Sequence, residues 1–207
     1  MIVKTIVVGF ILLIACSGAA FGYLRYFEPR PVDTTELRVY GEDAYAINYC
    51  ELPVLGGDGL MANEIPKAYT LSCTVDQWPA PILAGCTEPL PPEAADLRGL
   101  WRVTEGQLGH IERIEQCGNR VVVSNHRFIH DFRTTGKLKD GANDINTRNC
   151  TRVRATMTWD SEKVLNFKAV GLITVATRYL SGKDTLAWTY PGHPISRLER
   201  ICYLPSP

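Results

Sequence analysis

From Arg152 to Tyr203 the chain alternates apolar and polar side chains with a period of two. Val153, Ala155, Met157 and Trp159 fall on one face, with Arg152, Arg154, Thr156 and Thr158 on the other. Such alternation predicts β-strands with one buried face. Asp160-Ser161 turns the chain, and Leu165, Phe167 and Ala169 then oppose Asn166 and Lys168. Ile173, Val175, Thr177 and Tyr179 form the next inner face, up to a turn at Ser181-Gly-Lys-Asp184. Leu186, Trp188 and Tyr190 follow, then Pro191-Gly-His-Pro194, then a last strand from Ile195 to Tyr203. Earlier strands are expected at Leu100–Glu105, His110–Glu115, Arg120–Ser124 and Arg127–Arg133. Short connections make successive strands antiparallel neighbours. About eight or nine such strands without an intervening helix close their edges most easily as an up-and-down barrel. The expected fold is mostly β.

The first stretch has a different pattern. After Lys4, residues 5 to 24 carry no charge and are largely apolar. Three readings remain open. Leu13-Ile-Ala-Cys16, followed by Ser17, resembles the lipobox of bacterial lipoprotein signals, in which Cys16 is lipidated and becomes the new N-terminus. Alternatively, residues 5 to 24 span a bilayer uncleaved, since about 20 apolar residues at 1.5 Å rise cover its hydrocarbon core. Lys4 would then stay cytoplasmic, and Gly18 and Gly22 would form a G-x-x-x-G packing face. A simply cleaved signal is the third. All three place residues 30 to 207 outside the cytoplasm, facing the periplasm of a bacterial envelope.

Between the apolar segment and the barrel the pattern is weaker. Residues 25 to 36 read as a tether kept extended by Pro29 and Pro31. Residues 37 to 97 read as a Cys- and Pro-rich β extension with strand-like pieces at Leu37–Tyr40, Ala44–Cys50 and Lys67–Val75. Trp78-Pro-Ala-Pro81 and Glu88-Pro-Leu-Pro-Pro-Glu93 are too proline-rich for an interior strand, so residues 77 to 97 should lie extended over a surface. The barrel occupies residues 98 to 207.

Composition narrows the function classes. The formal net charge is zero, and neither sign runs in blocks, so nothing favours nucleic acid as a partner. Besides Cys16 there are six cysteines: Cys50, Cys73, Cys86, Cys117, Cys150 and Cys202. An even number in an exported chain reads as disulfides. No two of them lie closer than 13 residues, which fails the paired spacing of a zinc site. The expected pairing is Cys50–Cys73, Cys86–Cys117 and Cys150–Cys202. Three cysteines precede Leu97 and three follow it, so complete pairing requires at least one bridge between the halves.

Gly99-Leu-Trp101, at the start of the first barrel strand, resembles the G-x-W signature of lipocalins and related calycin barrels. The resemblance covers residues 98 to 207. It implies that Trp101 sits at the closed base of the barrel, with an arginine from the last strand, Arg197 or Arg200, packed over it. The shorter strands, the missing C-terminal helix and the unmatched residues 37 to 97 depart from that family.

His130 is the candidate polar residue for a site. In Arg127-Phe-Ile-His-Asp-Phe-Arg133 it shares a strand face with Phe128 and Phe132, pointing to an apolar lumen where it would orient a ligand or act as a general base. The bland reading is a buried neutral histidine satisfied by a neighbour. Asp131 lies on the opposite face. His126 and His130 would stand about 13 Å apart on a strand, too far to share a metal. No G-x-S-x-G, P-loop or G-x-G-x-x-G is present, so no cofactor or nucleotide chemistry is indicated. Thr134–Asn149 reads as a long polar loop overhanging a barrel mouth.

The expected function is therefore non-catalytic: a membrane-held barrel binding a small apolar or amphipathic ligand. Trp159, Tyr179 and Trp188 would supply inner apolar surface and His130 the polar anchor. The alternative is a structural or interaction protein of the envelope, with a solidly packed barrel and another envelope protein as partner. A small isomerase or cyclase using His130 ranks third.

Overall fold

The computed structural model describes residues 11–22, 42–70, 78–142, 144–146, 151–169 and 171–206. Residues 11–22 are helical, and among the described residues no helix is long and apolar enough to cross a membrane. The expected tether and the piece Leu37–Tyr40 lie outside the described residues.

The strands are β1 (Gly99–Glu105), β2 (Ile111–Cys117), β3 (Arg120–Ser124), β4 (Ile129–Arg133), β5 (Gly141–Ala142), β6 (Asp144–Asn146), β7 (Thr151–Val153), β8 (Ala155–Trp159), β9 (Leu165–Ala169), β10 (Ile173–Gly182), β11 (Thr185–Thr189) and β12 (Ser196–Ile201). They pair antiparallel in the order β5-β4-β3-β2-β1-β12-β11-β10-β9-β8, while β6 and β7 form a separate two-stranded sheet. The two edges of the large sheet meet past β4, where Thr135 bridges antiparallel to Thr158 and the Gly136 N–H donates to the Met157 carbonyl at 3.1 Å. Leaving out the two-residue β5, nine strands make a nearly closed up-and-down barrel.

Several local expectations are corrected. Ala44–Cys50 is not a strand: Glu42–Ala46 is a 3-10 helix, and a turn follows at Tyr49 and Cys50. The run Arg152–Trp159 breaks at Arg154 into β7 and β8, which belong to different sheets. Thr134–Asn149 is not only a loop, because it carries a 3-10 turn at Leu138–Asp140 together with β5 and β6. The inner face of β10 is the reverse of the one expected. Ala176 and Arg178 are buried, and Ile173 is 64% exposed. Register shifts between Thr174 and Ala176 and between Leu180 and Gly182 break the simple alternation, and the inner position is held by an arginine that hydropathy assigns outward.

The lower lumen is filled. Leu97, Trp101, Ile114, Phe132, Met157, Leu165, Leu186 and Leu198 are each at most 2% exposed and form one cluster. Trp101 donates its indole N–H to the Leu97 carbonyl at 2.8 Å, and the Arg200 guanidinium lies 4.4 Å from its ring centroid. Gly99 makes room for this: its φ is +139°, and a Cβ there would stand 2.8 Å from an Arg200 nitrogen.

β3 is buried on both faces. Val121 and Val123 point into the lumen, while Val122 packs outward with Ala62, Ala68, Leu83 and Ile129. The extension thus covers the outer wall of the barrel, and its backbone is captured by two buried arginines. Arg120 donates to both Asp131 oxygens at 2.8 and 2.6 Å and to the carbonyls of Ala62, Ile65 and Pro66. Asp131 also accepts the Ala68 N–H at 3.0 Å. Arg113 donates to the carbonyls of Pro79 and Ala80 and pairs with Glu115, which accepts the Leu83 N–H. The extension, which has no named strand among its described residues, thereby finds partners for its polar backbone.

Among the described residues two disulfides sew the halves together, Cys86–Cys117 and Cys50–Cys202. The second corrects the expected Cys50–Cys73 and Cys150–Cys202. The start of the extension returns to the end of the chain, where Ala44, Tyr49, Leu100 and Leu204 pack together and the Tyr49 N–H donates to the Cys202 carbonyl at 2.7 Å. Loop closure grows only slowly with length, so sequence proximity is a poor guide to pairing. Cys73 and Cys150 lie outside the described residues.

Candidate functional site

Alternating strand direction gives the barrel two unlike ends. The end holding Trp101, Arg200 and Cys50–Cys202 is closed. The connections β1–β2, β3–β4, β9–β10 and β11–β12 all lie at the other end, the mouth, and the chain's four histidines, His110, His126, His130 and His193, fall in or next to them.

Just inside the mouth a charged strut crosses the lumen. Arg178 of β10 donates to both oxygens of Glu112 of β2, each at 2.7 Å. Both residues are buried. Burial alone would push the Glu112 carboxyl up, but Arg178, with help from His110, holds it well below the usual carboxylate range. His110 Nε2 lies 3.2 Å from the second Glu112 oxygen. The His110 ring stacks on Trp188 at 4.9 Å between centroids, and the Arg178 guanidinium lies 5.7 Å from the same indole. The Trp188 indole nitrogen is buried and has no hydrogen-bond acceptor among the described residues.

β4 and β9 supply a second group. His130 lies 4.0 Å from Phe128, 6.5 Å from Phe132 and 5.8 Å from Phe167, measured between ring centroids. Phe132 meets Phe167 edge to face. His130 is half-buried, as are Phe128 and Phe167, while Phe132 is part of the core. His126 is largely exposed at the β3–β4 turn, and the partial burial of its ring, then the Arg127 charge and His110, push its pKa down.

The structure therefore brings His130, Phe128 and Phe132 together. Trp159 and Trp188 both pack against the lumen core, Trp188 with the strut and Trp159 beside Met157 and Leu165. Tyr179 is not with them: it stands on the outer face of β10, opposite Ala176 and Arg178. Glu112, Arg178 and His110 were missed. The signal was present in Ile111-Glu-Arg-Ile-Glu-Gln-Cys117, where Glu112 and Gln116 share a face with the inward Ile114. Gln116 uses that position to hold the Leu97 N–H and the Ala95 carbonyl.

A cavity of about 240 Å³ lies elsewhere, between the extension and the outer barrel wall, bordered by Ile47, Leu52, Pro53, Leu83, Arg98 and Arg113. Both arginines are already bonded, Arg98 to Asp96 and the Pro53 carbonyl, Arg113 as described above. Among the described residues no group of three or more His, Cys, Asp or Glu side chains is arranged to hold a metal. Comparison with protein-family models, curated proteins and solved structures gave no match.

Proposed function

We propose that this chain is an exported, membrane-held binding protein of lipocalin-like (calycin) type, which takes a small amphipathic ligand at the barrel mouth without transforming it. The observation that carries the reading is the Trp188 indole N–H, buried without an acceptor beside His110 and the Glu112–Arg178 strut. A buried donor left unpaired costs about 1–3 kcal/mol, so a ligand that brings an acceptor recovers that energy. The half-buried Phe128, His130 and Phe167 offer apolar surface to the rest of such a ligand. Because the lower lumen is filled, the ligand is small and sits high in the barrel. Cys16, exposed and unpaired, supports the lipidated form of attachment.

Native mass spectrometry of the protein purified from its own membranes should show a retained small-molecule mass. Trp188→Phe, which keeps the ring and removes the donor, should lose most of it while unfolding at the same temperature. Absence of any such mass from the wild type would favour the second reading, an envelope interaction protein with a solid barrel, which the packing around Trp101 and Met157 supports.

A further inference from the structure

The loops at the mouth differ from those at the closed end in both apolar exposure and charge. Five large apolar side chains project from three of them. Leu108 in the β1–β2 connection is 73% exposed, Leu172 and Ile173 at the β9–β10 hairpin 74% and 64%, and Tyr190 and Ile195 in the β11–β12 connection 47% and 55%. These three hairpins follow one another around the rim, because β2-β1, β12-β11 and β10-β9 are consecutive pairs in the sheet. The first and last of them in chain order touch: the Gln107 N–H donates to Ser196 Oγ at 3.1 Å, and Gly106 lies so close to Ser196 that a Cβ would fall 2.5 Å from that oxygen.

The same connections contain no carboxylate. Residues 106–110 read Gly-Gln-Leu-Gly-His, 125–128 Asn-His-Arg-Phe, 171–173 Gly-Leu-Ile and 190–195 Tyr-Pro-Gly-His-Pro-Ile. Arg127 is exposed among them, while Arg197, just beyond the last connection, pairs with the exposed Glu105 at 3.4 Å. At the closed end the β8–β9 and β10–β11 turns carry both signs, Asp160, Glu162 and Asp184 with Lys163 and Lys183, and no exposed large apolar side chain.

We propose that the mouth is a docking surface for a lipid bilayer containing anionic lipid. Leu108, Leu172, Ile173, Tyr190 and Ile195 enter the interfacial layer, and Arg127 meets the headgroups. Apolar groups on separate hairpin tips suit a fluid surface, which accepts them at any spacing. A protein partner would need a matching pit for each. Tyrosine at the edge of such a set suits the headgroup boundary, where its ring is buried and its hydroxyl stays wet. Tyr49 and Cys50 of the extension join Cys202 at the closed end, so the surface lies opposite that junction. Docking does not depend on a ligand in the lumen.

The test places photoreactive p-benzoylphenylalanine singly at Leu172, at Ile195 and, as a control, at Leu180, which is 36% exposed toward the closed end of β10. The full-length chain is reconstituted into vesicles of phosphatidylethanolamine with phosphatidylglycerol, and a second set of vesicles of the same lipids is added. Intact mass after irradiation reads lipid adducts whether docking occurs on the chain's own bilayer or across to another. The expected result is about tenfold more lipid adduct at positions 172 and 195 than at 180, falling severalfold in phosphatidylcholine or with Arg127→Glu. Equal adduct at all three positions, or none at 172 and 195, overturns the proposal. The probed side chains are exposed, and unchanged thermal unfolding of each labelled chain verifies that folding is intact.

Discussion

The closed end and the mouth of this barrel are built from the same strands by opposite means. At the closed end and along the covered outer wall large polar side chains are bonded: Trp101 to Leu97, Arg120 to Asp131 and three carbonyls, Arg113 to Glu115 and two more. Two disulfides and the extension then seal the outer wall. At the mouth the strut between Glu112 and Arg178 is equally well paired, but the aromatic groups beside it are only half-buried, and the Trp188 indole N–H and the Ser124 hydroxyl are buried without partners among the described residues. One end is arranged for stability, and the other is the end at which binding is proposed. Substitutions should therefore separate into those that unfold the protein and those that leave the fold and change what it holds.

The largest effect should come from Arg120→Ala. It leaves Asp131 charged and buried and frees the carbonyls of residues 62, 65 and 66, so the loss should be about 3–5 kcal/mol in denaturant unfolding. A loss below about 1 kcal/mol would mean that the extension is not held at this point.

Glu112→Gln tests whether the mouth is independent of stability. A carboxyl held below its ordinary pKa contributes stability that is complete above about pH 4.3 and is lost as pH falls through the folded value. Wild type should thus weaken in acid. The variant should be less stable near neutrality, by about 3 kcal/mol, with a flatter acid limb. An unchanged acid limb would assign the acid sensitivity to other carboxylates.

Cys50→Ser with Cys202→Ser removes a bridge spanning 152 residues and should cost about 2–4 kcal/mol, with ligand retention at the mouth unaltered. Peptide mapping of unreduced wild type should recover Cys50–Cys202 and Cys86–Cys117. Thiol counting on the denatured chain should find none of the six cysteines other than Cys16 free. Recovery of Cys50 joined to Cys73 instead would contradict the packing of Tyr49 against the chain end.

The smallest effect on stability should be that of His130→Phe. An aromatic ring replaces another beside Phe128 and Phe167, and the change should lie within about 1 kcal/mol. Ligand retention should fall much further than that. If the unfolding temperature drops sharply and retention does not, His130 belongs with the closed-end residues as a structural group.

Much of the barrel was legible because its signal is local. Leu165–Ala169 and Arg120–Ser124 are strands with the expected bounds, and Ala155, Met157 and Trp159 share the lumen face that their alternation implied. Short connections dictated antiparallel neighbours. The strand readings depend on spacing along the chain, which the backbone's period of two converts directly into a face. The lipocalin resemblance of Gly99 and Trp101, by contrast, implied Arg197 or Arg200 over the indole, and Arg200 takes that place from the strand paired with β1.

What tertiary structure alone decided is where charge goes inside. Arg178 and Glu112 read as surface residues until each is placed opposite the other across the lumen, because neither is tolerable there without its partner. The same holds for Arg120 and Asp131 on the outer wall, which is buried only because residues 62 to 68 lie over it. The return of Cys50 to Cys202 likewise follows from packing around Leu100 and Leu204, at a separation over which the chain keeps no local record. Alternation tells which side of a strand a residue takes, and only the assembled fold tells what waits on that side.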